Sequence, residues 1–193
     1  MSKQSVKLAR AVHRIFTQQK QSGGEKMGRW HGKLAEAMTM PLYDIYAAAM
    51  RKHGKPSQPR GAIESFAAGE PDEQWMVAMA QAQAQEAAIQ INDATTNMLE
   101  AGRDYSEVFS TDRAALIAVD QEHKAQMNAQ VYGAKQRKQK LKWVCDSKPC
   151  SICRKINGKV RNPGKMFAIV NGEPVFAPPT HPNCKCVLEN VSA

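Results

Sequence analysis

Pro149-Cys150-Ser151-Ile152-Cys153 and His181-Pro182-Asn183-Cys184-Lys185-Cys186 decide how this chain is read. A Gly/Pro-rich span of 27 residues separates the two runs. All five cysteines lie at or after Cys145. A Cys-x-x-Cys turn brings two thiolates to one ion at tetrahedral angles, and His-x-x-Cys repeats that spacing. Cys150, Cys153, His181 and Cys184 are therefore the first ligand set expected, for a structural Zn(2+). Cys186 can replace either late ligand, because two residues one apart in a turn can both face inward. Cys145, five residues before Cys150, is left as a spare. A segment this short cannot bury a sufficient core of its own, so a metal is the expected staple.

Other chemistries of the same residues compete with that reading. No apolar signal region opens the chain, so a reducing compartment is expected and disulfides are not. A redox dithiol calls for a βαβ setting, which the pattern lacks. Pro149-Cys150-x-x-Cys153 is also half of the zinc deaminase signature, whose other half is His-x-Glu. His13, His31, His53 and His123 are followed two places on by Ile15, Lys33, Lys55 and Ala125, so the proton-shuttling Glu is missing. No His-Glu-x-x-His is present, which removes the zinc proteases. Four protein ligands would close the ion to water, and a catalytic zinc keeps one position open. No catalytic residue is expected.

Outward from this stretch the pattern turns helical. Val6, Leu8, Val12, Ile15 and Phe16 recur at helical spacing from Ser2 to Gln21, with Lys3, Lys7, Arg10 and Arg14 on another face. That basic stripe suits phosphate contact, although such a stripe is often only the wet side of a helix. Trp30, Leu34, Met38, Leu42 and Ile45 predict a second helix, broken near Pro41. His53 to Pro59 is expected to be a loop, and Gly61 to Gly69 to hold one short helix. Pro71 opens and Gly102 closes the longest helix, with an Ala/Gln-rich middle whose small side chains let another helix approach. Ser110 or Thr111 caps the next, running to about Lys140 with Leu116, Val119, His123, Met127 and Val131 on its inner face. His123 reads there as a core-edge residue. From Trp143 strands take over, and Asn171-Gly172 between two apolar runs predicts a hairpin that returns the late ligands to Cys150. The expected fold is mainly α: a helical domain, 1–142, carrying a small zinc-stapled β-hairpin module, 143–193.

In the same stretch Lys142-Trp143, Asp146-x-x-x-Cys150-x-x-Cys153-Arg154-x-Ile156-x-Gly158 and Pro178-Pro179-x-His181-Pro182-Asn183-Cys184-Lys185-Cys186 occur in a fixed order. This order resembles the C-terminal signature of the phage Mu protein F-like family, the minor head or head morphogenesis proteins of tailed bacteriophages. Looser resemblances are Phe16-Thr17-Gln18, Ile91-Asn92-Asp93-Ala94-Thr95-Thr96 with Leu99, and Arg113-Ala114-x-Leu116-Ile117-Ala118. After that Ala the family usually carries Thr-Glu, where this chain has Val119-Asp120. Asp146 is expected to close a turn, and Gly158 to supply a positive φ. The resemblance implies a non-enzymatic virion protein in the capsid interior, assembled in the host cytoplasm near the portal protein and other head proteins, and used in head assembly or DNA delivery.

Charge bears on the partner. Residues 1–70 hold 12 basic and 5 acidic residues, 71–130 hold 3 and 10, and 131–193 hold 12 and 3, within a net charge of +9. Such asymmetry points to an anion at the basic ends. Lys135, Arg137, Lys138, Lys140 and Lys142 put five cations in eight residues, more than a helix C-terminus needs. Non-specific contact with packaged DNA, or contact with an acidic portal surface, is expected there. No apolar run approaches the length of a membrane span. Two other functions use similar residues. A zinc-containing nuclease of the His-Asn-His kind needs a further His as general base, and His181 is already spoken for. A DNA-binding zinc module differs from the first reading only in its partner.

Overall fold

Ser2 caps the first helix by accepting from the Ser5 N–H at 3.0 Å, and α1 runs Lys3–Gln21. The computed structural model describes residues 1–22, 27–53 and 71–191. The expected loop from His53 to Pro59 and the short helix at 61–69 lie almost wholly outside the described residues. After α1 come α2 (Met27–His53), α3 (Pro71–Glu100), α4 (Tyr105–Val108) and α5 (Thr111–Gln136). Strand β1 (Lys140–Val144), helix α6 (Ser151–Ile156) and strands β2 (Val160–Arg161), β3 (Ala168–Val170), β4 (Glu173–Val175) and β5 (Val187–Val191) follow. The chain is thus mainly helical, with a small antiparallel strand region at its C-terminal end. It falls into two compact units, divided within α2 at Tyr46/Ala47 and within α5 at Glu122/His123.

In the first unit, Leu8, Val12 and Phe16 of α1 and Trp30, Leu34, Met38 and Leu42 of α2 are fully or almost fully buried. Phe16, Trp30 and Phe109 meet as an aromatic cluster, with centroids 5.5–6.2 Å apart. Helix α2 passes through Pro41 without breaking. Proline costs about 3 kcal/mol in a helix interior, and burial of a continuous stripe on both sides of it exceeds that. Ala37 and Pro41 also line an open cleft. On α3 the buried stripe is Ala80, Ala84, Ala87, Ala88, Ile91 and Thr95. Buried Gln83 lies within this unit. It accepts from Tyr46 Oη at 2.6 Å and donates to the carbonyl and side-chain oxygens of Gln121 at 2.8 and 2.9 Å.

Three motif fragments meet at Arg113. Its guanidinium donates to Val108 O at 2.7 Å and Thr95 Oγ1 at 3.0 Å, and lies 5.3 Å from the Phe16 ring centroid. Thr95 in turn donates to Ile91 O at 2.6 Å. Burial lowers the Arg113 pKa below its ordinary value.

Ser110 caps α5, accepting from the Arg113 N–H at 3.2 Å. The helix buries Ala114, Ala118, Ala125, Met127, Ala129 and Ala134, whereas Leu116 and Val119 are exposed. The inward stripe is therefore mostly alanine, with Met127 the large side chain the periodicity also placed inside. The helix also ends before the expected Lys140. Lys138 sits at φ 56, its N–H bonds Lys135 O at 3.2 Å, and Gln139 N–H bonds Ala134 O at 3.0 Å. This pair of bonds is a Schellman motif with lysine at the left-handed position. It frees Lys140 to begin β1.

In the second unit β1 is the central strand of an antiparallel sheet ordered β2-β1-β5. Leu141 and Trp143 face inward with Leu188, and the Trp143 and Phe167 rings stand 5.3 Å apart. The later part of α5 packs on β5: Gln130 Nε2 donates to Leu188 O at 2.6 Å, and Leu188 N–H to Met127 Sδ at 3.4 Å. Asn171 and Gly172, at φ 51 and 86, form the two-residue turn between β3 and β4. Two successive positive φ values are what a type I′ hairpin requires.

Candidate metal centre

Cys150 is the N-cap of the short helix α6, and its Sγ lies 3.4 Å from the Cys153 N–H. One turn later Cys153 presents its own sulfur to the same place. The facing turn is held by Cys184 N–H to His181 O at 3.1 Å, with Asn183 at φ 60. His181 Nε2 is 3.1 Å from Cys150 Sγ and 3.6 Å from Cys153 Sγ, and Cys153 Sγ is 3.8 Å from Cys184 Sγ. A tetrahedral zinc sets its sulfurs about 3.8 Å apart, and a sulfur and a nitrogen about 3.5 Å apart, given its usual bond lengths. Two of the three separations match those edges, and the third is short by about 0.4 Å, within reach of a small rotamer shift. Two sets have ligating atoms all within 4.8 Å of one another, Cys150 with Cys153 and His181, and Cys153 with Cys184 and Cys186, so Cys153 belongs to both groupings.

His181 Nδ1 lies 2.9 Å from Pro182 O. A carbonyl only accepts, so Nδ1 carries the proton and Nε2 offers its lone pair to the sulfur side. That same contact is the largest cause holding the imidazole pKa above its ordinary value. The thiols are not equivalent. The Cys153 N–H leads in bringing Cys150 down to about 7. Burial is the largest influence on Cys184 and works upward, but hydrogen bonds at Thr180 and Cys186 outweigh it and the net shift is downward. Burial pushes Cys153 up, and Cys186 up to about 12. Thr180 Oγ1, which the sequence did not flag, stands 3.2 Å from Cys153 Sγ and 3.9 Å from Cys184 Sγ.

The surrounding shell is built from the motif's other positions. Gly158 takes φ 78, as expected, whereas Asp146 Oδ1 accepts from the adjacent Ser147 N–H at 2.7 Å. Cys145 belongs to neither metal grouping, as expected of a spare, but it has contacts of its own. Its Sγ is 3.1 Å from Cys186 Sγ and donates to Cys153 O at 3.2 Å. His123 is half-buried with Nε2 2.8 Å from Cys186 O, a core-edge role rather than a ligand's.

The residue pattern of the phage Mu protein F like family matches residues 63–189. This chain belongs to that family. The matched span takes in α3 to the middle of β5 and the entire cysteine region, whereas α1, α2 and Phe16-Thr17-Gln18 precede it. Proteins of the Mu F-like family are generally structural, and membership assigns the chain to phage head morphogenesis as a virion component. No curated protein and no solved structure matches the chain. Among the described residues no helix is long and apolar enough to cross a membrane.

The basic clusters are distributed differently from the sequence expectation. Lys135 lies in the last turn of α5, Lys138 in the turn and Lys140 and Lys142 on β1, so the five cations do not form one helix end. Lys135, Lys138 and Lys140 are exposed, Arg137 is half-buried with Nε on Gln139 Oε1 at 2.9 Å, and Lys142 stands across the ladder from Glu189. In the first unit Lys7, Arg10 and Arg14 line a cleft of about 840 Å³ that Lys33 also borders, with Lys7 paired to Asp44 at 2.8 Å.

Proposed function

We propose that this chain is a minor head protein of a tailed phage or prophage that works beside the portal in head assembly or DNA delivery, without catalysis. A structural zinc on Cys150, Cys153, His181 and Cys184 would staple its C-terminal module. The observation that carries the reading is that the ligating atoms of Cys150, Cys153 and His181 lie within 4.8 Å of one another, inside the family-matched span, with Cys184 Sγ 3.8 Å from Cys153 Sγ. Bound there, zinc would supply cross-linking of α6 to the His181–Cys184 turn. The chain's own groups do the rest: the Cys153 N–H holds the Cys150 thiolate, and Pro182 O fixes the His181 tautomer. The exposed cations Lys135, Lys138 and Lys140 are the proposed contact with packaged DNA or an acidic portal surface.

Purified particles test the role. Peptide mass spectrometry should find the chain in DNA-filled heads. Deleting its gene should yield heads that are malformed or fail to deliver DNA. Particles lacking the chain with unchanged morphology and infectivity would refute the assignment.

A further inference from the structure

Cys145 and Cys186 occupy one particular relation in the sheet. The β1–β5 ladder ends at the pair Val144↔Val187, and one step beyond it on each strand are Cys145 and Cys186. Facing residues of an antiparallel pair have Cα atoms about 4.5–5.5 Å apart, within the span of roughly 4.4–6.8 Å that a disulfide bridges. Their sulfurs already lie 3.1 Å apart. That is well inside the edge of about 3.8 Å at which one zinc holds two sulfurs, so this pair is arranged for each other rather than for a shared ion. The residues between them include all four proposed ligands, Cys150, Cys153, His181 and Cys184.

We propose that Cys145 and Cys186 are a cross-strand dithiol that oxidises to a disulfide outside the metal set, closing the base of the loop that carries the ligands. Small-molecule disulfide such as oxidised glutathione is the oxidant. Cys145 is half-buried and Cys186 is 3% exposed, so exchange begins at Cys145. The Cys145 thiolate attacks one sulfur of glutathione disulfide, forming a mixed disulfide and expelling one glutathione thiolate. The Cys186 thiolate then attacks Cys145 Sγ, forming the Cys145–Cys186 bond and expelling the second glutathione. Two protein thiols lose two protons and two electrons, and one glutathione disulfide becomes two glutathiones. The S–H hydrogen bond from Cys145 to Cys153 O is lost in the product. The occasion for oxidation rests on the virion reading: a reducing host cytoplasm during assembly, and an oxidising exterior after release.

The test uses the full-length, zinc-supplemented chain across a series of glutathione to glutathione-disulfide ratios. Free thiols are blocked with N-ethylmaleimide under denaturing conditions and counted by intact mass, while zinc is measured in parallel by elemental analysis. The reduced chain should take an adduct on each of its five cysteines, and the oxidised chain two fewer with its zinc unchanged. Digestion with trypsin and Asp-N should yield Trp143–Cys145 joined to the peptide that begins at Cys186. Cys145→Ser should lose no thiols, and Cys186→Ser should stop at the mixed disulfide of Cys145, one thiol fewer with one glutathione added by mass; both should keep the metal. Five adducts up to pure glutathione disulfide would overturn the proposal. So would a bridge between other cysteines, or loss of zinc in Cys186→Ser, which would make Cys186 a ligand. If the chain holds no zinc in any redox state the zinc reading fails, and the adduct count and joined peptide still decide the disulfide.

Discussion

Cys153→Ser is the substitution that probes the centre most directly, because Cys153 Sγ stands at the junction of both groupings, 3.6 Å from His181 Nε2 and 3.8 Å from Cys184 Sγ. An ion that binds only the folded chain stabilises it by about 4 kcal/mol when free metal is a thousandfold above the dissociation constant. For a unit the size of His123–Val191, each kcal/mol moves the melting midpoint by about 4–8 °C. Removing the ion should therefore lower the melting of the second unit by roughly 15–30 °C. The first unit has its own buried core of Phe16, Trp30, Leu34 and Met38 and should be unmoved. Differential scanning calorimetry of the zinc-loaded chain, the chelated chain and Cys153→Ser reads the two transitions separately. Chelated wild type and Cys153→Ser should coincide. A chelated chain that melts with the loaded one, or a Cys153→Ser chain that keeps one zinc and the parent midpoint, would refute the reasoning.

Arg113→Met removes donors to Thr95 and to Val108 O and the contact with Phe16, and should destabilise the first unit by about 2–4 kcal/mol, seen as a lower urea midpoint at unchanged slope. In metal-free protein, Cys150 has its thiol pKa lowered to about 7 and Cys153 has its own raised. The thiolate fraction grows as pH rises, so alkylation of Cys150 should reach half its maximal rate near pH 7 while Cys153 lags to a much higher pH, read by peptide mass spectrometry. Replacing Arg137, Lys138 and Lys140 together by Gln should weaken binding to duplex DNA or to purified portal across a salt series and leave zinc content unchanged; affinities for both partners that match the parent protein's would remove the contact.

Sequence alone determined the local features, where neighbours in the chain supply the physics. Pro71 and Gly102 bracket α3, Asn171-Gly172 makes the hairpin turn, and Gly158 takes the positive φ that an achiral residue adopts freely. It also determined the family, because an ordered run of cysteines, prolines and glycines is itself a sequence property. The candidate ligands were legible for the same reason: Cys-x-x-Cys and His-x-x-Cys encode separation directly.

Tertiary structure decided whatever depends on partners distant along the chain. Pro41 stays within α2 because burial on both sides outweighs a local penalty, which no local rule records. Leu116 and Val119 look inward by periodicity, yet alanines occupy the packed face, since how closely helices approach sets which side chains fit. The basic run divides between a helix end, a turn and a strand, because Lys138 takes a left-handed φ that β1 needs in order to begin. Cys145, a leftover by spacing, finds Cys186 across 41 residues only through the register of β1 against β5. Register is fixed by which alternate residues, here Leu141, Trp143 and Leu188, are buried together, and that is a property of the folded sheet rather than of either strand.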